Sequence, residues 1–170
     1  MRTLTFPLLA DWVVAGVCDL RPGALRAAGI TLLLTDLDNT LAPSGAPEPD
    51  GAVRDWAAAL EAAGVRLFLL SNSRKPSRPA RFAQALGIPY LGHAGKPRPG
   101  GFFQAMDRMG ARAEETAIVG DQIFTDILGG RRAGVRTILV EPIRLAGNPG
   151  RYVRYAAEWP FRALSRQRRR

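Results

Sequence analysis

The chain has almost none of the residues that most often ligate metals or cross-link small folds. It carries one cysteine, Cys18, and one histidine, His93, in 170 residues. That excludes an internal disulfide, a multi-cysteine zinc site and any site built on two histidines. Cys18 reads as a small buried apolar residue and not as a nucleophile. His93 reads as a loop or strand-end residue near a site, not a ligand. Lysine is scarce too: only Lys75 and Lys96 occur among 24 basic residues. The apolar stretch 12–17 is too short to cross a bilayer and is followed by Asp19. With no secretory pattern visible, a cytoplasmic location is expected, and a peripheral membrane position stays open.

What is present suits one domain with a full core: 46% of residues are apolar. The net charge is +9, and residues 151–170, with seven arginines and one glutamate, hold most of it. Residues 1–29 read as a lead-in, with Pro22 opening a short helix that ends near Gly29. Strands are expected at 30–36, 65–70, 88–91, 115–119 and 136–140. Helices are expected at 52–63, 80–86, 101–109 and 124–133, several closed by glycine. Loops rich in proline, glycine or serine fall at 42–51, 75–79 and 95–99. Alternating strands and helices imply an α/β fold: a Rossmann-like, doubly wound parallel sheet of about five strands in three layers. The main domain is expected over 1–150, followed by a basic, aromatic-rich segment over 151–170.

In such sheets the site lies beyond the carboxyl ends of the strands. Every notable polar cluster follows a strand: Asp36 and Asp38, then Ser71 and Asn72, then Lys96 after a short loop, then Asp121 and Asp126. Each has a bland reading alone. The aspartates can cap helices, Ser71-Asn72 can be a turn, and Lys96 can be a solvated lysine. Their joint placement in one layer points to chemistry instead. Asp36 can attack phosphorus as a carboxylate nucleophile, and Asp38 can transfer protons to the leaving oxygen and from water. Asp121 would complete a magnesium site with Asp36. Asp126 would hold metal waters or Lys96, and Lys96 would neutralise nucleophile and phosphoryl charge. Ser71 and the amides after it can bind phosphoryl oxygens.

The segments DLDNTL (36–41), LLSNS (69–73), GKPRPGGF (95–102) and VGDQIFTDILGGRRAG (119–134) resemble the four motifs of the haloacid dehalogenase (HAD) superfamily. More closely, they resemble the YqeG-type phosphatases of its subfamily IIIA, which are similar in turn to mitochondrial phosphatidylglycerophosphate phosphatases. The resemblance covers nearly the whole chain. It implies a magnesium-dependent phosphatase with Asp36 as nucleophile and metal ligand, and Asp38 as general acid/base that also gives the metal its backbone carbonyl. It further implies Thr40 as the hydroxyl of the first motif, Ser71 with Asn72 as the phosphate-binding pair, Lys96 as the third-motif lysine, Asp121 as a metal ligand and Asp126 as its supporting partner.

The intervals between Thr40 and Ser71 and between Ser71 and Lys96 each have room for one helix and one strand. Neither can hold a folded lid, which needs on the order of 50 residues. A HAD-like fold without a cap domain is therefore expected. Its open site would admit a large phosphorylated substrate, including phosphatidylglycerophosphate or another anionic lipid at a membrane surface, as well as soluble phosphate esters or phosphoproteins. For residues 151–170 two readings stay open. Its aromatics cover the core with a solvated arginine tail, or aromatics and arginines face an anionic bilayer. Pro160 is expected to break or kink any helix there. A rival of another class is a non-catalytic module that binds nucleic acid or a ribosomal partner through the tail. Nothing base-reading is visible, so nucleic acid ranks lower. The oligomeric state stays open.

Overall fold

Six short apolar segments pair into one parallel sheet. The computed structural model describes residues 7–75, 77–144 and 149–167. Its strands are β1 (Trp12–Val14), β2 (Leu32–Thr35), β3 (Arg66–Leu70), β4 (Tyr90–Leu91), β5 (Thr116–Gly120) and β6 (Arg136–Val140). Their order across the sheet is β1-β6-β5-β2-β3-β4, with every pairing parallel. The helices are α1 (Pro22–Ala27), α2 (Gly51–Ala62), α3 (Ser77–Leu86), α4 (Gly100–Met109), α5 (Leu128–Ala133) and α6 (Pro149–Gln167).

The central strands are buried on both faces, as parallel strands covered by helices must be. Alternate residues of β2 serve different layers. Leu33 packs with Trp56 and Leu60 of α2 and Phe82 of α3. Leu32 and Leu34 pack with Phe102 and Met106 of α4. This is the expected three-layer Rossmann-like arrangement. Between β2 and β3 the described residues form α2 alone, and between β3 and α4 they form α3 and β4.

The sheet has six strands where five are expected. The sixth, β1, lies in the lead-in, paired with β6. Its three residues are too few to show a strand period on their own. Asp11 adds a side-chain tie, accepting the Thr137 N–H at 2.9 Å. Cys18 is exposed, not buried. It sits in a one-turn helix, Val17–Asp19, where Val17 takes the core position. Helix α3 starts three residues earlier than expected, at Ser77, because Pro79 falls in its first turn, where a missing N–H costs little. The expected helix 124–133 is two pieces, a π-helical turn (Ile123–Ile127) and α5.

Residues 149–167 form one helix with Pro160 inside it. Pro160 is exposed, so water can take the carbonyl its ring leaves unbonded. This helix is inverted relative to an ordinary amphipathic one. Glu158, Arg162 and Ser165 are buried, while Tyr152, Val153, Trp159 and Leu164 are 51%, 72%, 60% and 48% exposed. The expectation that the aromatics cover the core therefore holds for Phe161, which meets Phe124 edge-on at 6.2 Å, and fails for Tyr152 and Trp159. Specific polar bonds replace apolar burial. Glu158 accepts the Phe124 N–H at 3.0 Å, and Ser165 Oγ accepts the Ala10 N–H at 3.1 Å. The expected solvated tail at 168–170 lies outside the described residues. Among the described residues no helix is long and apolar enough to cross a membrane.

Candidate active site

The strand order reverses between β2 and β5. One chain direction leads from β2 to β3 and the other from β5 to β6, which opens a crevice at their carboxyl ends. Asp36 follows β2 and Asp121 follows β5, so the fold places them side by side. The Asp36 N–H donates to the Val119 carbonyl at 3.0 Å, which carries the ladder one residue past β2, to Asp36. The chain then turns back through Asn39, at φ 61°, with the Leu41 and Ala42 N–H groups bonded to the Leu37 carbonyl. Asparagine tolerates that left-handed conformation better than most residues.

Lys96 is the centre of the site. It is buried, and its ammonium bonds Asp36 Oδ1 at 2.8 Å, Asp126 Oδ1 at 2.7 Å and the Leu70 carbonyl at 2.7 Å. All three ammonium protons are thereby used. Burial disfavours its charge, but Asp126 and Asp36 outweigh burial and raise its pKa above the ordinary lysine value. Asp126 thus holds Lys96, one of its two expected partners, and its other oxygen accepts the Gln122 N–H at 3.2 Å. That carboxylate crosses so close to the strand end that a Cβ on Gly120 would lie 2.3 Å from its Cγ. Only glycine fits there.

Asp36, Asp121 and Asp126 form a buried cluster with ligand oxygens within 4.8 Å of one another, able to hold a metal ion. Burial pushes the Asp36 pKa up to about 6, against the pull of Lys96. Burial also raises Asp121 well above the usual carboxylate range, reinforced by Asp36 and Asp126. Negative charge in the cluster is under-compensated by Lys96 alone, which is the condition a hard cation with oxygen ligands relieves.

Thr40 lies behind this cluster. Its hydroxyl accepts the Asp121 N–H at 3.1 Å and bonds Asp121 Oδ1 at 3.4 Å. Asn72 clamps the backbone of Lys96, donating to its carbonyl and accepting its N–H, both at 2.9 Å. Ser71 is buried, and its hydroxyl accepts the Ser73 N–H at 3.1 Å. A cavity of about 190 Å³ is lined by Asp36, Asp38, Ser71, Asn72 and Lys96 among others. Thr40 and Asp121 are not in its lining. His93 is in the exposed loop before Lys96, outside the cluster. A cavity of about 270 Å³ lies near the amino ends of β3 and β4, around Val65 and Gly87, with no motif residue in its walls.

Four arginines belong to this site that sequence pattern alone does not assign to it. Arg78 bonds Asp38 Oδ1 at 2.6 Å and the Ala46 and Pro43 carbonyls at 3.1 and 3.2 Å, tying Asp38 to the loop at 42–51. Its two flanking prolines suggest a loop, whereas the early start of α3 aims it at Asp38. Arg162 of α6 is buried, bonds Glu158 at 3.1 Å and donates to the Asp121 carbonyl. Arg151 and Arg154, from the first turns of α6, line the 190 Å³ cavity. Their signal in the sequence is charge alone, which does not distinguish them from a solvated surface.

Comparison with known proteins accords with this geometry. The haloacid dehalogenase-like hydrolase family matches residues 19–134. The chain is 32% identical over 95% of its length, and 92% of the relative's, to "Probable phosphatase YqeG" of Bacillus subtilis (strain 168). It is 38% identical over 74% of its length to the chloroplastic phosphatidylglycerophosphate phosphatase 1 of Chlamydomonas reinhardtii, of which it spans half. A solved structure from Listeria monocytogenes serotype 4b, of an uncharacterized protein, shares the fold. Its TM-score is 0.56 at 18% identity, over 71% of this chain and 85% of that one. The chain belongs to the haloacid dehalogenase-like hydrolases. Within them it stands with the phosphatases, as an enzyme that hydrolyses phosphoric monoesters.

Proposed function

We propose that the site hydrolyses its ester in two steps through a phosphorylated Asp36. The observation that carries this reading is the buried Lys96, bonded to one oxygen of Asp36 at 2.8 Å while Asp38 stands in the same cavity outside that bond network. Asp36 attacks phosphorus, the bond from phosphorus to the ester oxygen breaks, and Asp38 gives that oxygen a proton. Asp38 then takes a proton from the water that attacks the aspartyl-phosphate, which frees inorganic phosphate and restores Asp36. Arg78 engages Asp38 through Oδ1 and leaves its second oxygen for proton transfer. Ser71 contacts phosphoryl oxygens. Thr40 and Asn72 act by bracing Asp121 and Lys96.

Asp36, Asp121 and the backbone at Asp38 would hold magnesium, which supplies charge neutralisation at the phosphoryl oxygens. Because ionised Asp36 and Asp121 are needed to bind it, magnesium binding weakens as pH falls through about 6. Magnesium at about 100 times its Kd should stabilise the fold by ~2.7 kcal/mol at pH 8. For a chain of this size that is a rise of roughly 5–10 °C in Tm. The rise should shrink markedly at pH 5. An equal rise at both pH values would count against the carboxylate site.

The substrate we favour is phosphatidylglycerophosphate at a membrane surface. The phosphatidylglycerophosphate phosphatase relative supports it. So does the exposed apolar face of α6, where Tyr152, Trp159 and Leu164 each leave about half of their surface to solvent. Arginines of the same helix flank that face, an arrangement suited to anionic bilayers. A site without an inserted lid, as the short intervals between the motifs lead us to expect, would leave room for a lipid headgroup. The test is phosphate release from phosphatidylglycerophosphate in anionic vesicles against soluble phosphate esters, with Trp159→Glu alongside. Preference for the lipid, lost in Trp159→Glu, is expected. No preference and no vesicle binding would instead leave a phosphatase of soluble esters or phosphoproteins. Inertness toward every phosphate ester, with magnesium present, would favour a binding module.

A further inference from the structure

Lys96 has no proton left for a substrate, since its three donors already serve Asp36, Asp126 and Leu70. The other cations in the lining of the cavity are Arg151 and Arg154, both from α6. Residues three apart share a helix face, and like charges so placed repel. Both also lie near the amino-terminal end of α6, where the helix dipole disfavours cations. Neither has a carboxylate at ion-pair distance among the described residues, unlike Arg78, Arg162 and Arg166. Nη1 of Arg151 is buried with no hydrogen-bond partner. Arg154 is held by Gln122 Oε1, which accepts its Nη1 at 2.6 Å.

Two repelling arginines without a carboxylate partner are a costly feature of this helix, which also holds two buried nitrogens, Arg151 Nη1 and Arg162 Nε, without a hydrogen bond among the described residues. An anion between them relieves that repulsion, and the guanidinium fork suits phosphate oxygens. We propose that Arg151 and Arg154 form a second anion subsite that holds a further negative group of the substrate beside the scissile phosphate. The substrate class is then a phosphate monoester that also carries a second phosphate, as diester or monoester. This deepens, and rests on, the reading of the cavity as a phosphatase site. Helix α6 then serves the substrate with its polar side while its apolar side stays exposed.

The experiment compares kcat/KM for a soluble short-chain phosphodiester–phosphomonoester with kcat/KM for p-nitrophenyl phosphate. It uses the full chain with magnesium, as wild type, Arg151→Gln, Arg154→Gln and the double variant. Phosphatidylglycerophosphate in neutral vesicles serves as a third arm that separates a lipid headgroup from a free bis-anion. The preference for the two-anion substrate should fall about 10- to 100-fold in the double variant, with Arg154→Gln alone showing part of the loss. Arg154 is exposed, so its substitution tests the idea even if Arg151→Gln folds poorly. An unchanged preference, whether both substrates lose equally or neither loses, overturns the subsite. Wild-type inactivity on p-nitrophenyl phosphate would strike the phosphatase reading itself.

Discussion

Asp36→Asn is expected to lower kcat for any phosphate ester by on the order of 10⁴-fold, the scale seen when a covalent nucleophile is removed. The amide keeps the shape of the carboxylate and its contact with Lys96, so the loss would be chemical and not structural. A second readout should move the opposite way. Burial holds the Asp36 pKa near 6, above an unfolded value near 4, so its ionised form works against folding. A carboxyl raised in this way costs no stability below the unfolded pKa and its full cost above the folded one. Metal-free Asp36→Asn should therefore melt above metal-free wild type at pH 8, and the gap should close as pH falls from about 6 to about 4. Activity above ~1% of wild type in a preparation free of other phosphatases would remove Asp36 from the nucleophile's role.

Lys96→Met should damage both fold and chemistry. It leaves Asp36 and Asp126 buried without their shared countercharge, a loss on the order of 3–5 kcal/mol. At this chain length that corresponds to a drop in Tm of roughly 10 °C or more. Activity should fall about 10³-fold, as when one group stabilising the transition state is removed. Lys96→Arg should not rescue it, because a planar fork cannot reproduce three bonds of 2.7–2.8 Å made from one nitrogen. Combining Lys96→Met with Asp126→Asn should restore much of the melting temperature and none of the activity. A Lys96→Met protein that melts within about 2 °C of wild type, or keeps a tenth of its rate, would show that Lys96 does not hold the site together.

The motif residues were legible because each sits at a local boundary where an apolar strand gives way to polar residues. Asp36, Ser71 and Asp121 announce themselves by ending such runs, and Lys96 by following one. Their division of labour was less legible. Asn72 and Thr40 look like substrate contacts beside Ser71 and Asp38. Yet their hydrogen bonds go to Lys96 and Asp121. Asp126 had two expected partners, and its packing beside Gly120 brings one of them, Lys96, to its carboxylate.

By itself the sequence determined the alternation of strands and helices, the parallel α/β class and the set of carboxylates, lysine and hydroxyl at the strand ends. Those are written in short-range periodicity, which each segment carries without its neighbours. Tertiary structure alone decided that residues 12–14 join the sheet, that Cys18 faces solvent and that Arg78 grips Asp38. It also decided which way α6 faces. Hydrophobic pattern would turn Trp159 and Tyr152 inward, but Glu158, Arg162 and Ser165 find bonding partners in the Phe124 N–H, the Asp121 carbonyl and the Ala10 N–H. Each of those bonds joins residues more than 30 positions apart. No local pattern encodes such a match, because a buried polar group is favourable only where a distant part of the chain supplies its partner.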